Sequence, residues 1–175
     1  MNTQKINTET FLFNKNVFGP IKSRRLGNSL GINLLPTDSK VCNFDCIYCE
    51  CGLTQKKQNG TFLPLKEDII AELETKLISL HSEAEQVDSI TFAGNGEPTL
   101  HPQFKEIVDA VIMLRKKYFP SSKVAVLSNG IMLDNENVKK ALMKVDLRIM
   151  KLDAGTEKTF QHINQPIKNK TLAWL

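Results

Sequence analysis

Cysteine is absent from this chain except between positions 42 and 51, where four stand together in CNFDCIYCEC. Thiols so close could close only very short loops, which argues against a disulfide framework tying distant segments together. No apolar run approaches the roughly 20 residues needed to span a bilayer. The opening residues also lack the basic start, apolar centre and small-residue cleavage site of a secretory leader. A cytoplasmic setting is therefore expected, and in a reducing compartment a tight cysteine cluster binds metal or does redox chemistry. There is no low-complexity segment, internal repeat or linker rich in Gly, Pro or Ser, so one domain is expected. A second metal-binding knuckle is missing as well. The nearest histidine, His81, lies 30 residues beyond Cys51 within a helical pattern, which weighs against a structural zinc site built from two separated ligand pairs.

What is present is ordinary for a globular protein: 175 residues, 41% hydrophobic and 24% charged, with a net charge of +4. This excludes a wholly disordered chain. Basic residues cluster at Lys22, Arg24 and Arg25, at Arg115 to Lys117, and at Lys139 and Lys140. The excess is compatible with an anionic partner such as RNA, although the second and third clusters read as solvated helix faces.

Short apolar runs at 29–35 (SLGINLL), 89–93 (SITFA), 123–127 (KVAVL) and 147–152 (LRIMKL) have the length of buried strands. Between them, 66–80 sets Ile69, Ile70, Leu73, Leu77 and Leu80 at helical spacing. The stretch 104–114 does the same with Phe104, Ile107, Val108, Val111 and Leu114, and 135–144 with Val138, Ala141 and Leu142. Pro102 suits a first helical turn, and Asp134 and Thr156 suit N-caps. Strands separated by helices imply parallel pairing through crossovers, hence an α/β fold. The turns GNGEPT (94–99), SNG (128–130) and DAGT (153–156) follow successive strands, and the cysteine loop follows the first. In parallel α/β sheets the carboxyl ends of the strands share one rim, where loops and helix N-termini converge on ligands. The first 15 residues show no period and read as a loose arm, whereas NKTLAWL (169–175) reads as the opening of another helix.

The spacing Cys42-x-x-x-Cys46-x-x-Cys49 can wrap soft ligands around zinc or an iron-sulfur cluster, and spacing alone leaves both open. The loop CNFDCIYC, preceded by GPIKSRRLGNSLGINLLP and followed by GNGEPTLHP, SNG and KLDAGTEKTFQHIN, resembles the radical S-adenosylmethionine enzymes. More narrowly, it is similar to the iron-sulfur oxidoreductases related to the wyosine tRNA-modifying enzymes. The likeness runs over about residues 18 to 175.

The resemblance implies a partial (β/α) barrel of about four parallel strands, against six βα units in the family's core, with 1–17 as an arm and 18–175 as the core domain. With the abrupt end in NKTLAWL, this raises the expectation of a C-terminally truncated chain. It further implies a 4Fe-4S cluster on Cys42, Cys46 and Cys49, with S-adenosylmethionine on the remaining iron. Reductive cleavage would then yield a 5'-deoxyadenosyl radical that abstracts hydrogen from a substrate. Gly94, Asn95, Gly96 and Glu97 match the family's Gly-Gly-Glu turn toward the cofactor ammonium. Asn replaces the middle glycine, a residue type that accepts unusual backbone angles. Tyr48, Ser128, Asn129, Lys151 and Asp153 fall where the family contacts the rest of the cofactor. An external electron donor such as flavodoxin or ferredoxin is implied, and an RNA or small-molecule substrate. The alternative is a non-catalytic zinc- or cluster-binding module.

Cys51 lies outside the CxxxCxxC frame and reads as a bystander. Arg24 and Arg25 precede the first strand and are read either as contacts to an acidic partner or as a structural salt bridge. His101, His162 and Trp174 read as structural residues.

Overall fold

The computed structural model describes residues 10–54, 62–167 and 170–174. Five strands form one sheet in sequence order: β1 (Val17–Ser23), β2 (Gly27–Ile32), β3 (Ser89–Phe92), β4 (Lys123–Ser128) and β5 (Leu147–Met150). From β2 to β5 every pairing is parallel, and each gap is crossed by chain that includes a helix: α1 (Lys66–Ser82), α2 (Phe104–Tyr118) and α3 (Glu136–Leu142). A fourth helix, α4 (Glu157–Asn164), follows β5. The α/β class and the four expected parallel strands are present.

β1 is an addition. It pairs antiparallel with β2 and carries an irregularity between Phe18 and Ile21, at the Gly19-Pro20 pair. Such a pair marks an edge strand or bulge and obscures the apolar alternation by which a strand is read. β2 ends earlier than the run SLGINLL because the Asn33 side chain accepts from Leu35 N at 3.2 Å and donates to Leu35 O at 2.9 Å. That local bonding turns the chain out of the ladder while Leu34 and Leu35 stay buried.

One sheet face is apolar. Leu30, Ile32, Ile90, Phe92, Val124 and Val126 bury against Leu73, Leu77, Ile107 and Val111 of the helices. α1 packs on α2 and α2 on α3, so these helices line one side of the sheet. The opposite face presents small and polar groups, with Ser29 and Thr91 hydroxyls bonded at 2.7 Å. Farther along, Leu127 and Ile149 border a concavity, so the sheet forms an open partial barrel with helices outside and a lumen inside.

Thr156 caps α4 as expected, accepting from Thr159 N at 3.3 Å. α3 is capped by Asn135, not Asp134: Asn135 Oδ1 accepts from Asn137 N and Val138 N, so the cap falls one residue later. Pro102 lies in the turn just before α2. Where NKTLAWL reads as the opening of a helix, one short helical turn is present, Leu172–Trp174; Asn169, Leu175 and the side chain of Trp174 lie outside the described residues. Of the expected loose arm, residues 1–9 lie outside the described residues, and 10–16 are fastened. Phe11 N donates to Glu50 O at 2.8 Å, and the Phe13 ring stacks on Phe18 at 3.7 Å between centroids.

Candidate iron-sulfur and cofactor site

A cavity of about 570 Å³ opens at the carboxyl ends of the parallel strands. Its rim is made by Cys42, Cys46, Cys49 and Cys51, Gly94, Gly96 and Glu97 of the glycine turn, Ser128, Asn129, Lys151 and Asp153, and Arg25 enters from the opposite end of the lumen. Four separate turns thus meet at one place, as the topology predicts.

The cysteine loop is held from three directions. Before it, Val41 zips onto the glycine turn: Val41 N donates to Asn95 O at 2.9 Å and Glu97 N donates to Val41 O at 3.0 Å. Gly96 has φ +138°, and any side chain there would run into the Val41 carbonyl, so glycine is what allows this close approach. After α4, the chain returns under the loop, with Ile47 N bonded to Ile163 O, Asp45 N to Gln165 O and Ile167 N to Asn43 O. Phe44, Cys46, Ile131, Ala154 and Phe160 form a small apolar cluster beneath it.

The third support is Lys40, whose side chain is 1% exposed. Its ammonium donates to Asp45 Oδ1 at 3.1 Å and to Gly52 O at 2.8 Å, joining both ends of the loop. Asp45 Oδ1 also accepts from Thr54 N at 2.7 Å. Burial opposes charge on this carboxyl, yet the bonds from Thr54 and Lys40 hold it below the usual aspartate value. Neither Lys40 nor Asp45 stood out in the sequence, where a lysine beside a polar loop looks like a surface charge.

Glu97 is 2% exposed. Oε1 accepts from Thr99 N, Thr99 Oγ1 and Ser128 Oγ at 3.1, 2.6 and 2.8 Å, and Oε2 accepts from Asn129 N at 2.7 Å. The Ser128 hydroxyl therefore serves Glu97. Asn129 Nδ2 instead reaches Asn43 Oδ1 at 2.6 Å and Cys42 Sγ at 3.8 Å. Asn95 stands apart from the lining. Its side chain accepts from Phe13 N and donates to Phe13 O and Pro36 O, at 2.8 to 2.9 Å, and it is wholly buried. Its φ is not positive, so Asn stands there to bind residues 13 and 36, not to relieve a strained backbone.

On the far side, Lys151 Nζ lies 3.0 Å from Cys46 Sγ, 4.5 Å from the Tyr48 ring centroid and 3.4 Å from Asp153 Oδ2. The Tyr48 hydroxyl bonds Asp153 Oδ2, and buried Asn164 donates to both, at 3.1 and 3.0 Å. Burial opposes charge on Asp153, but these donors and Lys151 hold its carboxyl low. Burial, followed by the bond to Asp153, pushes Tyr48 up to about 12. Asn164, in α4, is a site residue that carried no sequence signal.

Burial pushes the Cys42 thiol up to about 11. Cys49 is drawn down to about 5 by a hydrogen bond from Cys51, with Lys40 adding to it against burial. Cys51 is pushed up correspondingly by that bond and by burial. Cys51 is outside the motif frame but inside the cavity, with Sγ 3.8 Å from Gly94 O. Arg24 and Arg25 occupy the turn between β1 and β2, and only Arg25 borders the lumen. His101 is buried, bonded to Pro64 O and Gln103 N, and His162 is exposed on α4, so neither joins the cavity lining.

Among the described residues no three His, Cys, Asp or Glu side chains form a set that could hold a single metal ion. The thiols instead surround a cavity, which suits a cluster whose irons are ligated at separate corners. Donors to sulfur accompany them: Phe44 N at 3.4 Å and Asn129 Nδ2 on Cys42, and Lys151 Nζ and Asn164 Nδ2 (3.7 Å) on Cys46. Such donors stabilise thiolate charge in iron-sulfur sites, and the residues fit the group.

Residues 37–174 match the family described as the Radical SAM superfamily. A UPF0026 protein of Methanocaldococcus jannaschii is 37% identical over 158 residues, covering 89% of this chain and 46% of that protein. One from Helicobacter pylori is 35% identical over 150 residues, covering 86% and 46%. A protein named GTPase Obg from Brachyspira hyodysenteriae is 37% identical over 179 residues, 95% of this chain but 25% of that protein. The chain thus spans a quarter to about half the length of these curated relatives. Among solved structures, BtrN in complex with AdoMet and 2-DOIA has a TM-score of 0.45 at 21% identity, covering 76% of this chain and 49% of that one. Archaeal TYW1 gives 0.40 at 18%, covering 77% and 48%. On the family match over residues 37–174, the chain belongs to the radical SAM superfamily.

Proposed function

We propose that this chain forms the core of an enzyme that uses a 4Fe-4S cluster, held by Cys42, Cys46 and Cys49, together with S-adenosylmethionine. The observation that carries this reading is the meeting of the CxxxCxxC thiols and the GNGE turn on one cavity, tied by the Val41 ladder. When bound, such a cluster supplies the electron that cleaves S-adenosylmethionine into methionine and a 5'-deoxyadenosyl radical able to abstract hydrogen from a substrate.

The chain's own groups divide the remaining work. Glu97 Oε1 takes three donors but Oε2 only one, which leaves Oε2 able to receive the cofactor's ammonium. At Asp153 the donors gather on Oδ2, and Oδ1 is left to accept from ribose hydroxyls. Tyr48, 52% exposed beside Lys151 and Asp153, offers an aromatic surface to the cofactor. Leu127, Ile149 and Met150 give the lumen an apolar wall that limits water around a reactive intermediate. An external donor such as flavodoxin or ferredoxin supplies the electron, and the substrate is an RNA or a small molecule. The setting is cytoplasmic; no helix among the described residues is long and apolar enough to cross a membrane.

Anaerobic reconstitution with iron and sulfide tests this. The chain is expected to turn brown, bind about four irons and, after reduction, cleave S-adenosylmethionine. Alanine at Cys42, Cys46 or Cys49 should abolish cleavage, whereas Cys51→Ala should largely retain it. Stoichiometric zinc without cleavage would overturn the reading in favour of a non-catalytic module. Complete loss of the cluster in Cys51→Ala would make the site a closed, four-thiolate one.

A further inference from the structure

Cys46 differs from Cys42 in the charge of its direct donors. Cys42 receives neutral N-H groups, from Phe44 N and Asn129 Nδ2. Cys46 receives neutral Asn164 Nδ2 at 3.7 Å and the Lys151 ammonium at 3.0 Å. Lys151 is fixed for that contact. Its backbone N donates to Ser128 O at 2.9 Å, extending the ladder between β4 and β5. Its ammonium rests between the Tyr48 ring and Asp153 Oδ2, and Asn164 locks the tyrosine and the aspartate in turn. Lys40, the other cation of the rim, bonds Asp45 and Gly52 O and acts on Cys49, not on Cys46.

Reducing a thiolate-ligated cluster adds one negative charge, and an ammonium about 3 Å from a ligand sulfur stabilises that added charge through a partly desolvated medium. Hydrogen bonds and net charge at the sulfurs are among the levers that set such potentials. We propose that Lys151 is a positioning residue for electron entry, its ammonium held on Cys46 Sγ so that the cluster accepts an electron from a low-potential one-electron donor at a higher potential than the thiolates alone would set. The step moves one electron from donor to cluster and no proton. This rests on the cluster reading given above and adds a role separate from any contact to ribose.

The test is a dye-mediated redox titration, with electron paramagnetic resonance of the reduced state, on the anaerobically reconstituted chain as wild type, Lys151→Gln and Lys151→Arg. Lys151→Gln is expected to be about tenfold harder to reduce, ~59 mV for one electron, and Lys151→Arg to stay within about twofold of wild type because its charge is kept. An unchanged potential in Lys151→Gln overturns the proposal, as does an equal fall in both variants, which would make the effect one of shape. If Lys151→Gln alone fails to hold the cluster, the charge on Cys46 is upheld as the requirement; if both variants fail, it is overturned. A wild-type chain that takes up no cluster overturns the functional reading itself, and the proposal falls with it.

Discussion

Lys40 illustrates how much of this site rests on single residues that do no chemistry. A buried ammonium is costly unless paired. Here it is paired with Asp45 and with the Gly52 carbonyl, on either side of the last two motif cysteines. Replacing it with methionine keeps the volume and removes the charge, leaving a carboxylate and a carbonyl short of a donor. Lys40→Met is therefore expected to cost about 3 kcal/mol, read as a lower Tm with faster amide exchange over residues 42–54; unchanged exchange in that loop would remove the clamp from the account. Glu97 teaches the complementary lesson. Its place in the GNGE turn was legible as a local motif, but its use of Ser128 and Asn129 as donors joins positions 31 and 32 residues apart. Ser128 thus acts on the turn's carboxylate, a role that no local pattern encodes.

Among the elements, helices were legible over most of their length because their burial stripes are periodic, whereas β1 was not, since Gly19 and Pro20 break its pattern. α4 shows why an element's surroundings matter for the site: its Thr156 cap fixes where the helix starts, and its last turn supplies Ile163 O and Asn164 to the cysteine loop. Between α2 and α3, Asp109 accepts from Lys144 and lies 3.5 Å from Lys105. The bond from Lys144 lowers its carboxyl despite some burial. A depressed carboxyl contributes stability that is present above the unfolded value, about 3.9, and lost as pH falls through the lower folded one. The Tm difference between wild type and Asp109→Asn should accordingly be constant from about pH 5 to 8 and close below about pH 4. A difference that persists into acid would assign the effect to packing.

Across the whole molecule, Asn95 joins three parts: residue 13 of the N-terminal stretch, residue 36 after β2, and the turn that borders the cavity. Asn95→Ala leaves buried backbone groups unpaired and is expected to cost about 2 kcal/mol, with faster proteolysis within residues 10–16; equal cleavage rates would show that the Phe13–Phe18 stack and the Phe11–Glu50 bond hold the stretch without Asn95. The α/β class, the four parallel strands and their convergent turns were readable because hydrophobic period and turn composition are local properties. Which residues face the cavity was less readable, as Asn95 shows by turning away from it, and Cys51 by lying within it despite its place outside the motif. By itself the sequence determined the spacing of the three thiols and the glycines of the turn, since neighbours in the chain set both. Only the tertiary structure decided that Lys151 reaches Cys46, 105 positions away, that Lys40 is buried, and that Asn164 completes the network. Such contacts depend on strand register and helix docking, which bring together groups that no local spacing relates.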